Sequence, residues 1–248
     1  MRGGAHNPVR LRYTKRGKVR WISHRDVARA LERAFRITKL PLAFTEGFSP
    51  RPKVSFGLAL SVGHESDAEY LDFELREPID PEGLPGPLSD ALPDGIAVTG
   101  AVPLAERAPA LQEAVTAVVW HVEPTHADGT PIDASELGQH VDRALGLPTL
   151  QTSRRRKGRE VEEDVLPVIR RCELRPTNPV SLEMELTTQP RSAKPGDVLA
   201  GIVRATDLPG GLVEARVLRT HQWIERDGTR LEPLTADTRP RAQEARAS

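Results

Sequence analysis

Ser23-His24-Arg25-Asp26 sets a hydroxyl, an imidazole, a guanidinium and a carboxylate in consecutive positions, the groups from which a nucleophile and its base are drawn. Neighbours in sequence diverge at a helix start and seldom meet on one reacting atom. Ser23 and Asp26 also fit the S-x-x-[DE] pattern, whose side chains satisfy unpaired N–H groups at a helix N-terminus, and capping is their simpler reading. His24 keeps a second reading. At a positive, RNA-facing helix end it could act as general base toward a 2′-hydroxyl, which would make the chain a metal-independent endoribonuclease.

Residues 47–57, Gly-Phe-Ser-Pro-Arg-Pro-Lys-Val-Ser-Phe-Gly, form the strongest binding candidate. Pro50 and Pro52 stiffen the loop, and the glycines let a ligand approach the backbone. Arg51 and Lys53 can clamp a phosphate, and Phe48 offers a face for base stacking. A second basic run, Arg154-Arg155-Arg156-Lys157-Gly158-Arg159, is expected at a strand end or hairpin tip, with Glu160, Glu162, Glu163 and Asp164 following at once. It reads either as salt-dependent RNA affinity or as a self-compensating charged loop.

Asp67, Glu69, Asp72 and Glu74 raise a two-metal nuclease site. Strand alternation sends Asp72 and Glu74 to one face and Asp67 and Glu69 to the other, so a solvent-facing strand is expected and no metal. Arg219-Thr220-His221-Gln222-Trp223 reads as an edge strand with a packed Trp, or as a surface for a base or partner. Cys172 stands alone, which excludes an internal disulfide and any cysteine-based cluster, and it reads as an ordinary half-buried thiol. No Walker loop, G-x-G-x-x-G, H-E-x-x-H or paired C-x-x-C occurs, so neither phosphoryl transfer, a Rossmann cofactor nor zinc catalysis is expected.

The elements that must carry these groups follow from periodicity. Residues 9–22 alternate as a strand, or as two short strands around a turn, and residues 24–39 read as a helix. Its Val27, Ala30, Leu31, Ala34 and Phe35 make a buried stripe, while Arg25, Arg29, Arg33 and Arg36 make a cationic outer one. Strands are expected at 42–44 with 53–60, at 68–75 and at 96–102, with a short Pro-interrupted helix at 81–92. That order is β-α-β-β-α-β, the ferredoxin-like arrangement. From residue 114 it starts afresh, with strands at 114–122, 149–153, 180–188 and 212–223 and helices at 134–145 and 194–205. The expected fold is therefore α+β, two tandem ferredoxin-like domains with antiparallel sheets. Their bounds are 1–108 and 109–226, and a charged, Ala-, Thr- and Pro-rich segment, 227–248, reads as a disordered tail.

Charge is sorted along the chain although the net charge is +0. Residues 1–57 hold 14 Arg and Lys against Asp26, Glu32 and Glu46, a balance of +11. Residues 58–152 hold 17 acids against Arg76, Arg107 and Arg143, a balance of −14. A positive face is the usual footprint of a polyanion, and RNA is the first candidate. No signal peptide or membrane span is evident, so a cytoplasmic protein is expected.

Several runs carry a resemblance. They are Trp21-Ile22-Ser23-His24-Arg25-Asp26, Arg33-Ala34, Leu40-Pro41-Leu42, the stretch from Glu46 to Gly57, Glu65-Ser66 and Glu69-Tyr70-Leu71-Asp72. Weaker matches are Arg155 or Arg156 with Lys157-Gly158, residues 164–169, Pro195 with Asp197-Val198-Leu199, and Arg219-Thr220 with Gln222. Over residues 8–225 the chain resembles the bacterial radical-SAM-linked proteins of unknown function, found as partner or C-terminal fusion of B12-binding radical SAM proteins. The resemblance implies association with radical SAM chemistry and, through gene neighbourhood, with ribosome and RNA-processing genes. A radical SAM cluster needs three closely spaced cysteines, and this chain has one, so the cluster would lie on the partner.

The expected function is an RNA-binding or substrate-presenting accessory protein acting with a radical SAM enzyme in rRNA or tRNA modification or maturation. It needs no cofactor of its own and contacts neither DNA nor membrane. Arg25, Arg29, Arg33, Arg36, Phe48, Arg51, Lys53, Arg154, Arg155, Arg156 and Lys157 would hold the RNA. The enzymatic alternatives rest on His24, or on Asp26 acting as the aspartate of pseudouridine synthases does, though the Gly-rich context of that residue is missing. A third alternative is a protein-binding adaptor without RNA contact.

Overall fold

The computed structural model describes residues 7–105, 108–156 and 158–238, with Arg155 and Arg156 described in backbone only. It is a mixed α+β protein whose strands pair mostly antiparallel. The chain divides into two compact units. The first comprises Met1–Val62, Asp67–Ala114 and Ile224–Ser248, and the second Gly63–Ser66 and Val115–Trp223.

The first unit runs β1 (Asn7–Lys15), α1 (His24–Ile37), β2 (Val54–Phe56), β3 (Glu65–Leu75), α2 (Pro85–Asp90), β4 (Ile96–Pro103) and α3 (Leu111–Ala114). Its strand order is β4-β1-β3-β2. Val9, Leu11 and Tyr13 of β1 alternate onto one sheet face and pack with Leu71, Phe73 and Leu75 of β3, with Ile96 and Val98 of β4, and with Val27, Leu31, Ala34 and Phe35 of α1. One apolar core thus sits between sheet and helices. Ser23 opens α1 by accepting from the Asp26 N–H, and Thr38 closes it by donating its hydroxyl to the Ala34 carbonyl at 2.9 Å. The β1 to β4 end needs glycine at position 95, because φ is +94° there and a Cβ would lie 2.3 Å from the Arg16 carbonyl oxygen. The expected strand at 53–60 shrinks to β2, with Gly57 still donating to the Tyr70 carbonyl at 3.0 Å and the residues after it outside the strand. The helix expected at 81–92 shortens to a turn at Pro81–Gly83 followed by α2.

The second unit runs β5 (Ala117–Thr125), α4 (Ala134–Leu145), β6 (Gln151–Arg156), β7 (Arg159–Asp164), β8 (Ile169–Arg175), β9 (Ser181–Thr187), α5 (Pro195–Thr206) and β10 (Val213–Arg226). Its strand order is β10-β5-β9-β8, antiparallel throughout, while β6 and β7 form a separate hairpin. Asp133 caps α4 by accepting from the N–H groups of Ser135 and Glu136, and Leu137, Val141 and Ala144 face inward. Strand β10 also pairs with Glu65-Ser66 of β3, in parallel through Leu218 and Arg219, so the edge-strand reading of residues 219–223 is corrected.

Part of the segment expected as a disordered tail is built into the first unit. Asp227 and Gly228, both left-handed, turn β10 back into β11 (Thr229–Leu231), and α6 (Pro233–Ala236) follows. Residues 239–248 lie outside the described residues. Among the described residues no helix is long and apolar enough to cross a membrane.

Candidate nucleic-acid interface

Arg25, Arg29, Arg33 and Arg36 all lie exposed on the outer side of α1, one or more per turn, because the apolar residues of the same helix claim its inner stripe. Arg29 leans on Asp26 at 3.4 Å, an exposed pair worth little, and Arg25, Arg33 and Arg36 make no ion pair among the described residues. Just ahead of the helix, Trp21 is 63% exposed with the Arg20 guanidinium over its ring, 5.1 Å from the centroid.

At the cap, the Ser23 hydroxyl donates to Asp26 Oδ2 at 2.6 Å and accepts from the Asp26 N–H at 3.3 Å. The Ser23 hydrogen bond holds the Asp26 carboxyl below its ordinary pKa, so this exposed group is a settled carboxylate engaged in capping. His24 packs edge-on against Phe56 with 4.9 Å between ring centroids, and among the described residues it hydrogen-bonds to no carboxylate or hydroxyl. The structure therefore provides no oriented base beside a nucleophile at this helix start.

The arginines of β1, and Arg16 just after it, meet a different environment. Arg10 is 0% exposed and grips Asp72 of β3 with two bonds, 2.7 Å to Oδ1 and 2.9 Å to Oδ2, while donating to the Pro233 carbonyl at 3.2 Å. Arg16 binds the Asp67 carboxylate, with 2.6 Å to Oδ1, and Arg12 donates to the Asp67 carbonyl at 3.1 Å. Buried Lys15 spends its ammonium on the Arg20 and Ile22 carbonyls, both at 3.1 Å, and burial lowers its pKa. The solvent-facing strand expected at Asp67, Glu69, Asp72 and Glu74 is corrected accordingly: β3 is buried over most of its length, and Asp67 is bound by Arg16, Asp72 by Arg10 and Glu74 by Lys53. Burial outweighs the Arg10 bonds in setting Asp72, whose pKa is raised. Asp237 lies 3.7 Å from Arg10 and binds Arg226 at 2.6 and 3.0 Å, and Tyr70 donates to Glu232, so this network also fastens residues 232–237.

Residues 43–53 form a hairpin, held by Lys53 N–H to the Ala43 carbonyl and Thr45 N–H to the Arg51 carbonyl, both at 2.9 Å. Phe48 at its tip is fully exposed, and Arg51 is exposed with no ion pair among the described residues. Lys53 is half-buried and paired with Glu74 at 2.8 Å, so its charge is compensated.

In the second unit, Arg154 turns inward to Glu163 at 3.3 Å, to Asp197 and to the Ser192 carbonyl, which takes it out of any open basic patch. Lys157 and the side chains of Arg155 and Arg156 lie outside the described residues. Arg219 and Gln222 are buried, with the Arg219 guanidinium 4.8 Å from the Trp120 ring centroid. Beside them His64 meets Trp120 edge-on and Glu214 at 3.2 Å, and Arg216 binds Glu65 at 2.7 Å. Sequence reading missed this polar group, because its members lie about 150 residues apart and join only through the short β3–β10 pairing. Cys172 is buried, which pushes its thiol up to about 12.

Among the described residues no cluster of His, Cys, Asp or Glu could hold a metal ion. The structure thus presents an α+β protein with an exposed arginine face on one helix and charge-paired strands behind it. A family model, "uncharacterized protein conserved in bacteria" (DUF2344), matches residues 9–195, and the chain belongs to that family. Comparison with curated proteins finds no match.

Proposed function

We propose that this chain is an RNA-binding or substrate-presenting accessory protein, without catalysis of its own, that acts with a radical SAM enzyme in rRNA or tRNA modification or maturation. The observation that carries the RNA part is the outer face of α1. It keeps four arginines exposed while basic residues of β1 are spent on carboxylates and carbonyls. Guanidinium groups at helical spacing suit phosphate oxygens, and exposed Trp21 and Phe48 supply the stacking faces that unpaired bases use.

The radical SAM link rests on the resemblance of the quoted motifs, and with one cysteine in this chain the iron–sulfur cluster would lie on the partner. We read each unit as a ferredoxin-like domain, a reading supported by strand orders β4-β1-β3-β2 and β10-β5-β9-β8 with two helices in each βαββαβ run, and the protein as cytoplasmic.

Binding of the full chain to structured RNA across a salt series tests the proposal. Affinity should fall steeply with salt, and Arg29→Glu/Arg33→Glu/Arg51→Glu should weaken it far more than Arg230→Glu. Equal loss in both variants, or binding insensitive to salt, removes the α1 face as the site. Co-purification of a radical SAM protein from extract without nucleic acid would favour the adaptor reading instead.

A further inference from the structure

Within the first unit, on the sheet face turned away from the α1 core, a cleft of about 390 Å³ remains outside the interface described above. Its floor follows from strand register. Ser55 pairs with Asp72 and Val54 with Phe73, so residues 53 and 55 share a face with 72 and 74, while Val54 and Phe73 point into the core. Lys53, Ser55, Asp72 and Glu74 therefore make a polar floor, and Pro8, Leu104, Ala105, Ala108, Pro109 and Ala110 make an aliphatic wall opposite. Ligand pockets run from roughly 300 to 1,000 Å³, so this one suits a single flat ring with its sugar and excludes a folded helix.

The chemistry of the floor narrows the occupant. Two carboxylates alone would attract a cation, but Asp72 is already bound by Arg10 and Glu74 by Lys53, so among the described residues the floor carries no net negative charge. What remains is hydrogen-bonding capacity. Each Asp72 oxygen has a second lone pair beyond the one Arg10 uses, and the Ser55 hydroxyl, exposed and without a hydrogen bond among the described residues, can donate or accept. A neutral, planar, donor-bearing ligand fits that set, and the small alanine and proline side chains opposite leave room for its face.

We propose that the cleft takes one unstacked nucleobase carrying an exocyclic amino group. The Asp72 carboxylate and the Ser55 hydroxyl would read the amino edge, and Lys53, two residues from exposed Arg51, would stand at the adjoining phosphate. The inference rests on the RNA-binding reading and adds to it: α1 holds the backbone, and the cleft selects one base. Carboxylates accept from amino groups and repel carbonyl edges, so cytidine, adenosine and guanosine are favoured over uridine.

Calorimetric titration of the full-length protein with the four free ribonucleosides tests this without phosphate attraction. The three amino-bearing nucleosides should bind, with uridine roughly tenfold weaker, a modest discrimination for a base-edge contact. Ala110→Trp should fill the cleft and abolish that binding. Ser55→Ala, a milder change on an exposed side chain, should weaken it about threefold to tenfold if the bulky variant fails to fold. No nucleoside binding, equal binding of all four, or binding unaffected by both variants overturns the cleft assignment. The same variants separate the two readings. Ala110→Trp should leave the salt dependence of RNA affinity unchanged, and charge reversal on α1 should leave nucleoside binding unchanged. Loss of RNA binding in the α1 variant with nucleosides still discriminated supports both.

Discussion

Arginines on β1 and on α1 belong to one basic stretch of sequence, separated by fewer than thirty residues, yet they end in opposite circumstances. Arg10 is sealed between β3 and residues 233–237 with carboxylates on two sides, whereas Arg25, Arg33 and Arg36 meet none among the described residues. Strand geometry explains the difference. In the sheet, β1 lies beside β3, so the alternating basic residues that cannot enter the core are brought against the alternating acids of the neighbouring strand. A helix on the surface brings no such neighbour to its outer stripe. The opposed charges of residues 1–57 and 58–152 are therefore partly an internal pairing code, and only the exposed remainder is left for the RNA contact proposed above.

Removing Arg10 tests this division most severely. Arg10→Met leaves the Asp72 carboxylate without its guanidinium and Asp237 with Arg226 alone, and loss of one partner from a buried ion pair costs about 3–5 kcal/mol. Denaturant unfolding should show that loss, with residues 229–238 exchanging amide hydrogens faster because their anchor is gone. A change under about 1 kcal/mol would mean that β1 carries no structural charge and would erase the contrast with α1.

The reciprocal change on α1 should leave the fold alone. Reversing Arg25, Arg29, Arg33 and Arg36 to Glu removes no buried contact, so unfolding free energy should stay within about 1 kcal/mol of the parent, allowing for altered helix charge. Affinity for structured RNA at moderate salt should drop roughly 100-fold, and the slope of log affinity against log salt should become shallower by about 3. Loss of stability without loss of affinity would reverse the assignments of the two regions.

Helix α1 was legible down to its cap because 3.6-residue spacing and a Ser-x-x-Asp start are local signals, and β9 and α4 were legible for the same reason. Strand β8 was not. Arg170, Arg171, Glu173 and Arg175 break its apolar alternation, and these residues make sense only beside β9, where Arg171 reaches Glu183 at 2.6 Å. Residues 229–236 read as a tail because their anchors, Arg10 and Tyr70, lie more than 150 positions earlier. Arg154 read as a surface cation for a like reason: Asp197, its partner, lies 43 positions on. Candidate residues on a helix face stay exposed, and those whose surroundings a distant element supplies are paired.

Acid sharpens the comparison by a smaller amount. Burial comes first in raising the Asp72 carboxyl, so the folded chain holds that proton more tightly than the unfolded chain does. The linked stability is fully present below the ordinary aspartate pKa of about 3.9 and is lost as pH rises through the raised value. Asp72→Asn cannot titrate. The stability of the parent relative to this variant should therefore decline as pH rises above about 4 and level off once the buried carboxyl is ionised. A difference that grows with pH over that range would mean that Arg10 outweighs burial, and that Asp72 behaves as an ordinary paired carboxylate.

The smallest effect concerns the group of residues with the most catalytic look. If Ser23 and Asp26 cap α1, Ser23→Ala should cost about 1 kcal/mol in unfolding and leave RNA affinity and integrity untouched. Asp26 supplies the pH signature. Its carboxyl lies below the usual range chiefly through the Ser23 hydroxyl, so its contribution is present above the unfolded pKa and disappears as pH falls through the lowered one. The stability difference between parent and Ser23→Ala should thus narrow in acid, opposite in direction to the Asp72 series. His24→Ala completes the test, since the ring contacts Phe56 and no acid or hydroxyl among the described residues. Cleavage of folded RNA by the parent that is abolished in His24→Ala would make this helix start a catalytic centre and α1 its substrate clamp.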